Sequence, residues 1–425
     1  MTLNTEFGWQ PERTEDRKFK AVSKSKMRAM GLEPNIKPWV ADFDELRKSP
    51  PNIIVAESTD TLKFVQNYFK TQTLKKREKY VMGLGVYQQL HADPRIASKK
   101  FLKPAKIKFK NIYRPYKGQD MDNKTLLVFR TGGIGDLLFI QPNLLYLKEK
   151  YPTCKIKFAC GPQYQSMVET WDCVDEVLDL PFEFKQLVQA DYHALFEGVI
   201  ERCKLSENVN AYNLFTEWLG LNLPDELLVP KQDAKSELVD FCSEKLKEWG
   251  VEPHKFILMQ LRASSPIRTP RPLLWKNIID GLTDQGYKIV LTDSPRQAEH
   301  VDGFIKYVKD PTKVFNFCKH SESLDYSIAL TKLAGLIVGT DSAMNHIAAS
   351  LGVPCYGLYG PFPGHIRLKT YSNTKWIDAV RPCAPCYVHG QSSCKEAGKD
   401  GYSPCYDNLD IDTILKDVGS LLPND

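Results

Sequence analysis

Short apolar runs alternate with helix-like stretches along the chain from residue 124 onward. Each run ends in a turn rich in glycine or polar residues, as buried strands of a parallel sheet do. The runs form two series, separated by a polar junction and a helical stretch near 236–249; they are 125–130, 155–160, 175–180 and 193–198, then 256–261, 287–292, 336–339 and 355–360. The pattern predicts an α/β protein with two successive Rossmann-like domains facing a cleft.

The pattern also divides the chain into four parts. We expect a basic N-terminal extension or small appended domain (1–123), a Rossmann-like acceptor domain (124–235), a Rossmann-like donor domain with a cysteine-rich segment (236–408) and a C-terminal helix (409–425). The last helix is predicted either to cross back to the first domain or to pack as a simple C-terminal helix. Ligands of such sheets bind at the carboxyl ends of the strands, so the functional residues are expected there.

The N-terminal region differs in composition from the rest. Within it, PNIIVAES predicts a strand and the following TLKFVQNYFKTQ predicts a helix. Residues 1–123 hold 25 Lys and Arg against 14 Asp and Glu, whereas the remainder holds 32 against 38. Segment 99–117 has no acidic residue and interleaves Phe and Tyr with its basic residues. This composition suits phosphate contacts and base stacking on nucleic acid, and equally anionic lipid head groups or plain solvation.

Composition narrows the class of protein. Hydrophobic content of 42% and charged content of 26% are typical of globular domains. No apolar run approaches the roughly 18 residues that span a bilayer, and MTLNTEFGWQPERTEDRKFK has no apolar core of a secretory signal. Eleven cysteines without such a signal indicate reduced thiols. We therefore expect a cytoplasmic protein, at most peripheral at the inner face of a membrane.

The first candidate motif follows strand 125–130 and opens a helix. It contains Gly132, Gly133, Gly135 and Asp136, a spacing that departs from the G-x-G-x-x-G order of dinucleotide-binding turns. No acidic residue closes the next strand, so NAD binding is disfavoured. Asp136 is either a helix cap or a general base.

The second candidate motif is VGTDSAMNHIAASLGVP at 338–354. A buried strand ends at Gly339, and Thr340, Asp341 and Ser342, all candidate donor-binding residues, begin helices well. Free backbone amides and the helix dipole favour anions at such a position. The motif therefore predicts a place to hold a diphosphate.

Together the two motifs resemble glycosyltransferase family 9, the heptosyltransferase family of the GT-B fold. The resemblance rests on GGIGDLLFIQPNLLYLKEKYP and GTDSAMNHIAASLGVPCYGLYGPFPG, in this order, and it covers roughly 124–420. It implies an inverting transfer of a sugar from a nucleotide-diphospho-sugar to a hydroxyl acceptor, without a catalytic metal. It also implies that Asp136 deprotonates the acceptor and that Asp341 orients the donor sugar.

The resemblance further implies donor-binding residues. Ser342, Ala343 and His346 would lie on the first turn of the helix that holds the diphosphate, although a buried or surface histidine is the alternative for His346. Arg268 would neutralise the leaving phosphates, and Arg262 is a second candidate. Family members often carry a glutamate that contacts the ribose where Arg296 or Gln297 stands here, and this departure leaves the nucleotide open.

The C-terminal cysteines raise the question of a metal. Cys383, Cys386, Cys394 and Cys405 could form a tetrahedral structural zinc site with His389 as a spare ligand, and plain reduced thiols are the favoured alternative. No cofactor is expected to be required for catalysis.

The most probable acceptor from the resemblance is a bacterial envelope saccharide of the lipopolysaccharide-core type. The basic segment 99–117 motivates an alternative, a glycosyltransferase that acts on hydroxylated bases of phage DNA. A non-catalytic sugar-nucleotide-binding protein is the alternative from another class, and the presence of both Asp136 and Asp341 argues against it.

Overall fold

A computed structural model describes residues 53–66, 70–92, 101–107, 109–202, 210–388, 394–398 and 400–422. The described residues form two compact units, and the division lies between Leu228 and Val229. This division lies within the polar junction near 224–235 that separates the two series of strands in the sequence.

The N-terminal part of the first unit is a small antiparallel sheet. Its elements are β1 (Ile53–Ser58), β2 (Leu62–Gln66), β3 (Lys70–Leu74), β4 (Lys79–Gly83), α1 (Leu84–Ala92) and β5 (Leu102–Pro104). The sheet has the order β5-β1-β4-β9, where β9 is the short strand Phe182–Glu183. Because β9 comes from the part of the chain after residue 124, the small sheet shares a core with the Rossmann-like sheet that follows.

The prediction of a helix over TLKFVQNYFKTQ is wrong, because β2 and β3 form an antiparallel hairpin there. Leu62 and Leu74 are register partners and are both buried, whereas the next pair, Lys63 and Thr73, is exposed. This alternation has the two-residue period of a strand, and threonine, valine and phenylalanine fit a half-buried pleated surface.

The basic segment is folded wherever the structure describes it. Phe109 and Tyr113 pack against the core of the first unit, and Tyr116 is 2% exposed. Arg114 donates from Nε to the carbonyl of Asp191 over 3.0 Å and from Nη2 to the carbonyl of Val188 over 2.9 Å. The aromatic residues therefore stabilise the fold, and the part of the segment described here is not an extended arm.

The Rossmann-like part of the first unit has four parallel strands in the order β10-β6-β7-β8. Its predicted strands are confirmed. The elements are β6 (Thr125–Phe129), α2 (Ile134–Lys150), β7 (Lys155–Ala159), α3 (Pro162–Val168), β8 (Glu176–Leu178), α4 (Phe184–Gln189), β10 (Tyr192–Leu195), α5 (Val199–Arg202) and α6 (Ala211–Trp218). Leu126 to Phe129 of the central β6 are fully buried, as a continuous apolar run in a sheet covered on both faces should be.

The second unit has six parallel strands in the order β13-β12-β11-β14-β15-β16. The four predicted strands are β11, β12, β14 and β15, and they occupy the centre of the sheet. The elements are α7 (Ser236–Glu248), β11 (Phe256–Gln260), α8 (Pro272–Asp284), β12 (Lys288–Leu291), α9 (Ala298–Ile305), β13 (Val314–Asn316), α10 (Leu324–Lys332), β14 (Leu336–Thr340), α11 (Ala343–Ser350), β15 (Cys355–Tyr359), α12 (His365–Leu368), β16 (Thr374–Asp378) and α13 (Ile411–Leu421).

The C-terminal helix α13 packs on α8 and on the sheet of the second unit. It buries Ile414 and Val418, and Lys375 of β16 forms an ion pair with its Asp417 over 3.1 Å. These contacts lie within the second unit.

The helices in the described ranges are all too short or too polar to cross a membrane.

Candidate functional site

In the first unit, the candidate site is the turn between β6 and α2. Gly133 begins the helix with φ of 89°, a conformation that residues with a Cβ rarely adopt, and a Cβ there would lie 2.5 Å from Asp136 Oδ2. A Cβ at Gly132 would lie 2.6 Å from the ring of Tyr164. Both glycines are therefore required by close approach, and Asp136 falls in the first turn of α2 as the motif predicts.

The Asp136 carboxylate is held by Arg130, which sequence reasoning missed. Arg130 Nη2 donates to Asp136 Oδ2. The same guanidinium donates from Nε to the carbonyl of Gly132 over 3.1 Å and from Nη1 to the carbonyl of Phe196 over 3.0 Å. The Arg130 side chain is 6% exposed, whereas that of Asp136 is 25% exposed. Arg130 thus holds the glycine-rich turn from its buried side and leaves the Asp136 carboxylate accessible to solvent.

A second carboxylate lies at the same edge of the sheet. Glu197 follows β10, and its Oε2 accepts a hydrogen bond of 2.8 Å from the backbone amide of Thr131. Gly83 approaches this pair so closely that a Cβ there would lie 2.6 Å from Thr131 Oγ1. Glu197 therefore orders the glycine-rich turn, and its signal in the sequence was its position at the end of a strand.

In the second unit, the candidate site lies at the end of β14 and the start of α11. Asp341 is 3% exposed, and its Oδ2 is buried without a hydrogen-bond partner among the residues that the structure describes. Arg268 Nη1 lies 3.7 Å from Oδ2, and Arg367 Nε lies 3.9 Å from Oδ1. A buried carboxylate with a vacant acceptor oxygen between two guanidinium groups is equipped to receive hydroxyl donors beside an anion.

The structure brings Arg268 to Asp341. Arg268 donates to the Asp341 carbonyl over 2.8 Å and to Ser264 Oγ over 3.1 Å, while its own carbonyl accepts from Thr340 Oγ1. Ser342 precedes α11 and donates to Gln260 Oε1 over 3.0 Å, and Ala343 is the first residue of the helix. The loop after β11 is therefore fastened to the loop after β14.

His346 lies in the core beside this site. It is 4% exposed, and its Nδ1 shares a hydrogen bond of 2.8 Å with the hydroxyl of Tyr371. Burial lowers its pKa to about 3, opposed by the negative charge of Asp341 and assisted by Arg367 and Arg268. A neutral imidazole in this setting supplies no positive charge to a phosphate, and the geometry supports the alternative of a buried histidine.

Arg262 and the nucleotide end of the predicted site lie near β12. Arg262 Nε is 3.0 Å from Asp293 Oδ2, so its charge is compensated inside the protein. Asp293 stands two residues after β12, and sequence reasoning missed it. Arg296 and Gln297 belong to a short 3₁₀ turn at 295–297, in which Gln297 is 4% exposed. Asp293 is thus the carboxylate on the loop where the resemblance led us to expect a glutamate.

The four C-terminal cysteines lie within electrostatic range of one another. Burial raises the pKa of the Cys405 thiol, which is hydrogen-bonded to Ser403, and Cys383, Cys394 and Cys386 add to the increase. Cys383 and Cys386 are exposed, and Cys394 is half-buried. In the described ranges no group of three or more His, Cys, Asp or Glu is arranged to hold a metal ion, and His389 lies outside those ranges.

Comparison with protein families gives a match that lies mostly in the second unit. Residues 209–396 match the model of "Glycosyltransferase family 9 (heptosyltransferase)". This part of the chain is similar to glycosyltransferase family 9. The matched range includes Arg262, Arg268 and Asp341. It begins after Asp136, so the assignment of Asp136 rests on the glycine-rich motif itself. No curated protein matches the chain.

Solved structures establish the fold as GT-B. A family 9 glycosyltransferase from Veillonella parvula is 15% identical, with 71% of this chain and 98% of that chain covered and a TM-score of 0.55. The ADP-heptose lipopolysaccharide heptosyltransferase II of E. coli is 14% identical over 70% and 98%, with a TM-score of 0.51. TibC from enterotoxigenic E. coli, described as a dodecameric iron-containing heptosyltransferase in complex with ADP-D-β-D-heptose, is 12% identical over 88% and 96%, with a TM-score of 0.52.

Proposed function

We propose that the protein is an inverting glycosyltransferase that uses a nucleotide-diphospho-sugar. The observation that carries the proposal is the buried Asp341 with its vacant Oδ2, next to Arg268 at the start of α11. The carboxylate is suited to accept from sugar hydroxyls, and Arg268 with the helix amides is suited to the diphosphate. The family 9 domain around these residues supports the same donor class.

In the proposed reaction, Asp136 is the general base. It takes the proton of the acceptor hydroxyl while the acceptor oxygen attacks the anomeric carbon, and the bond from that carbon to the phosphate oxygen breaks. The electron pair leaves with the nucleoside diphosphate, whose growing charge Arg268 and the amides of α11 stabilise. Arg130 would hold the Asp136 carboxylate in a fixed orientation through its hydrogen bond to Oδ2.

For the donor we propose an ADP-sugar of the heptose type, and for the acceptor a bacterial envelope saccharide. The support is that one of the similar structures is an ADP-heptose lipopolysaccharide heptosyltransferase and another, TibC, is a heptosyltransferase in complex with ADP-D-β-D-heptose. An acceptor of the lipopolysaccharide-core type would require work at the inner face of a membrane, where the basic residues of 99–117 could meet anionic lipid.

The experiment is a thermal-shift screen against ADP-, GDP-, UDP- and CMP-sugars, followed by assays of nucleotide release with and without a core saccharide. A ligand that binds only the native state raises the melting temperature. We expect the largest shift with an ADP-sugar and release that depends on the saccharide. Binding without hydrolysis or transfer would instead support the non-catalytic alternative.

We also propose that transfer itself requires no metal ion. Arginine and helix amides already surround the place assigned to the diphosphate, which is the work that a metal does in other transferases. A structural ion is a separate matter. Cys383, Cys386, Cys394 and Cys405 are the candidate ligands for one, and iron is part of the description of TibC.

A further inference from the structure

Arg367 is a buried charge whose hydrogen-bonding groups are unused. The residue is 8% exposed, and its guanidinium makes no hydrogen bond within the described residues. Its nearest carboxylate oxygen, Asp341 Oδ1, lies at 3.9 Å from Nε, beyond hydrogen-bond range. A guanidinium offers five N–H donors in a rigid fork. Those of Arg367 are available to a ligand that accepts from them.

Arg367 is oriented by an aromatic contact of its side chain and by the packing of its helix. Its guanidinium carbon lies 4.5 Å above the centre of the Phe362 ring, a cation–π contact that fixes the plane of the fork. The residue belongs to α12, which begins after Gly364. A Cβ at Gly364 would lie 2.3 Å from the ring of Trp376, and the Gly364 amide donates to Asp378 Oδ1 over 2.6 Å. The fork is therefore oriented before any ligand arrives, which lowers the entropic cost of binding.

The charges around Asp341 indicate what the ligand is. Arg268 and Arg367 approach different oxygens of one carboxylate, and His346 is neutral because burial lowers its pKa to about 3. The three charged side chains sum to one positive charge next to the amides of α11. A ligand that balances this set carries an anionic group for Arg367 and a neutral hydroxyl for the vacant Asp341 Oδ2. A glycosyl phosphate has both groups on adjacent atoms.

We propose that Arg367 binds the sugar-linked phosphate of the donor, from the side of Asp341 opposite to Arg268. This inference deepens the proposed function and rests on it for the identity of the donor. It assigns Arg367 a share in distinguishing diphosphates from monophosphates, because a nucleoside monophosphate has no phosphate at this position. Planar bidentate recognition is what arginine provides and lysine does not.

The test compares nucleotide affinities of the full-length protein by calorimetry. Wild type is titrated with ADP, GDP, UDP and CDP, and the tightest of the four is then compared with its own monophosphate. In Arg367→Met we expect the diphosphate affinity to fall about 10- to 100-fold, the value of a hydrogen bond to a charged group, and the monophosphate affinity to change less than about 3-fold. Arg367→Lys should fall between wild type and Arg367→Met.

Arg381→Met is the matched control, since Arg381 lies in the same unit and donates to the carbonyl of Pro404 over 3.1 Å. It should bind both nucleotides as wild type does. Equal losses for diphosphate and monophosphate, a loss confined to the sugar nucleotide, or no loss in Arg367→Met would each overturn the assignment. If Arg367→Met does not fold, Arg367→Lys decides by the same comparison.

The outcomes separate this inference from the proposed function. If wild type binds a diphosphate, the Arg367 variants bind it more weakly and no sugar is transferred, the role of Arg367 is supported and the proposed transferase activity is rejected. Sugar transfer with unchanged diphosphate affinity in the Arg367 variants would do the reverse. A wild-type protein that does not distinguish any of the four diphosphates from its monophosphate would reject the role of Arg367.

Discussion

Asp136 combines two properties that a general base needs, a fixed orientation and access to solvent. Arg130 binds one of its oxygens, and Gly133 allows the turn that places it in the first turn of α2. We expect Asp136→Asn to lower turnover by about 100-fold or more, the usual scale for a lost general base, with donor affinity nearly unchanged.

Steady-state transfer assays and calorimetry with the donor check this prediction. Glu237→Gln is the control, because Glu237 is an exposed acidic residue in the first turn of α7. It matches the loss of a negative charge at a helix start without touching the site. Wild-type turnover in Asp136→Asn would remove Asp136 from the mechanism.

Asp341 and Arg268 are expected to contribute to different parts of donor binding. Arg268→Ala should weaken free nucleoside diphosphate about 10- to 100-fold, because a charge-assisted contact is lost. Asp341→Ala should weaken the sugar nucleotide by a similar factor and free diphosphate much less, because its vacant oxygen is assigned to sugar hydroxyls. Calorimetry with both ligands measures the difference. Equal losses of free diphosphate affinity in the two variants would contradict the assignment.

The sequence indicated the candidate site residues that lie within one motif. It did not indicate the residues that reach the site from distant parts of the chain. Asp341, Ser342 and Ala343 are adjacent in the chain, and Arg268 was implied by the family resemblance. Arg367 reaches Asp341 only through the packing of α12 on Trp376, which no local spacing encodes. Asp293 was missed because its partner Arg262 lies on another strand end.

Among the elements, β10 depends on a neutral histidine. His193 is 1% exposed, accepts at Nδ1 from the amide of Arg114 over 2.9 Å and contacts the carbonyl of Leu187 through Nε2 over 2.7 Å. Burial lowers its pKa to about 4; the hydrogen bond to Leu187 opposes this and the charge of Arg114 assists it.

The sign of the resulting pH dependence follows from this shift. The unfolded chain protonates His193 below pH 6.5, whereas the folded protein resists protonation until about pH 4. The free energy of unfolding therefore falls as pH decreases through this window, by about 2 kcal/mol from this group between pH 7 and 5. His346, with a pKa of about 3, adds a change of the same sign.

Urea unfolding at pH 7 and pH 5 tests this prediction. In His193→Gln we expect a smaller free energy of unfolding at pH 7 and a smaller further loss at pH 5 than in wild type. The exposed His365 provides the control, since His365→Gln should keep the wild-type loss. An unchanged pH dependence in His193→Gln would exclude His193 as its source.

Strands buried on both faces give the clearest signal in the sequence. Strands such as β11 and β14 are continuous apolar runs between turns, and this signal needs no partner to be recognised. The edge strands β13 and β16 were missed, because the first has three residues and the second is half-buried along its whole length. The β2–β3 hairpin was taken for a helix because a short segment of mixed polarity fits either period until its pairing is known.

At the scale of the whole molecule, the first question is the metal. We expect transfer to survive prompt treatment with EDTA, because arginine and helix amides are assigned the work of charge neutralisation. Elemental analysis of the purified protein, alongside a Cys383→Ser/Cys386→Ser variant, shows whether the cysteine segment holds an ion. Prompt and complete inhibition that Mg²⁺ or Mn²⁺ reverses would mean a metal-dependent reaction.

The second question is the acceptor, on which the basic N-terminal region bears. Binding of nucleic acid by segment 99–117 would require aromatic residues that are free to stack on bases. In the structure Tyr116 is buried, and Phe109 and Tyr113 pack against the core of the first unit. The charge remains at the surface, since Lys103, Lys106 and Lys117 are exposed. Surface lysines without stacking partners favour an anionic surface over single-stranded or flipped bases.

We therefore expect transfer to a core saccharide and none to hydroxymethylated DNA. Deleting residues 1–118 would remove strands of the first unit, so the better variant is Lys103→Gln/Lys106→Gln/Lys117→Gln, which keeps the fold. A functional DNA contact would lose affinity with salt at a log–log slope of about −0.9 per phosphate, and the triple variant would flatten that slope. We expect wild type to bind DNA weakly and the triple variant to lose association with anionic vesicles while nucleotide release without acceptor is unchanged. Sugar incorporated into hydroxymethylated DNA by the purified protein would overturn the choice of a saccharide acceptor.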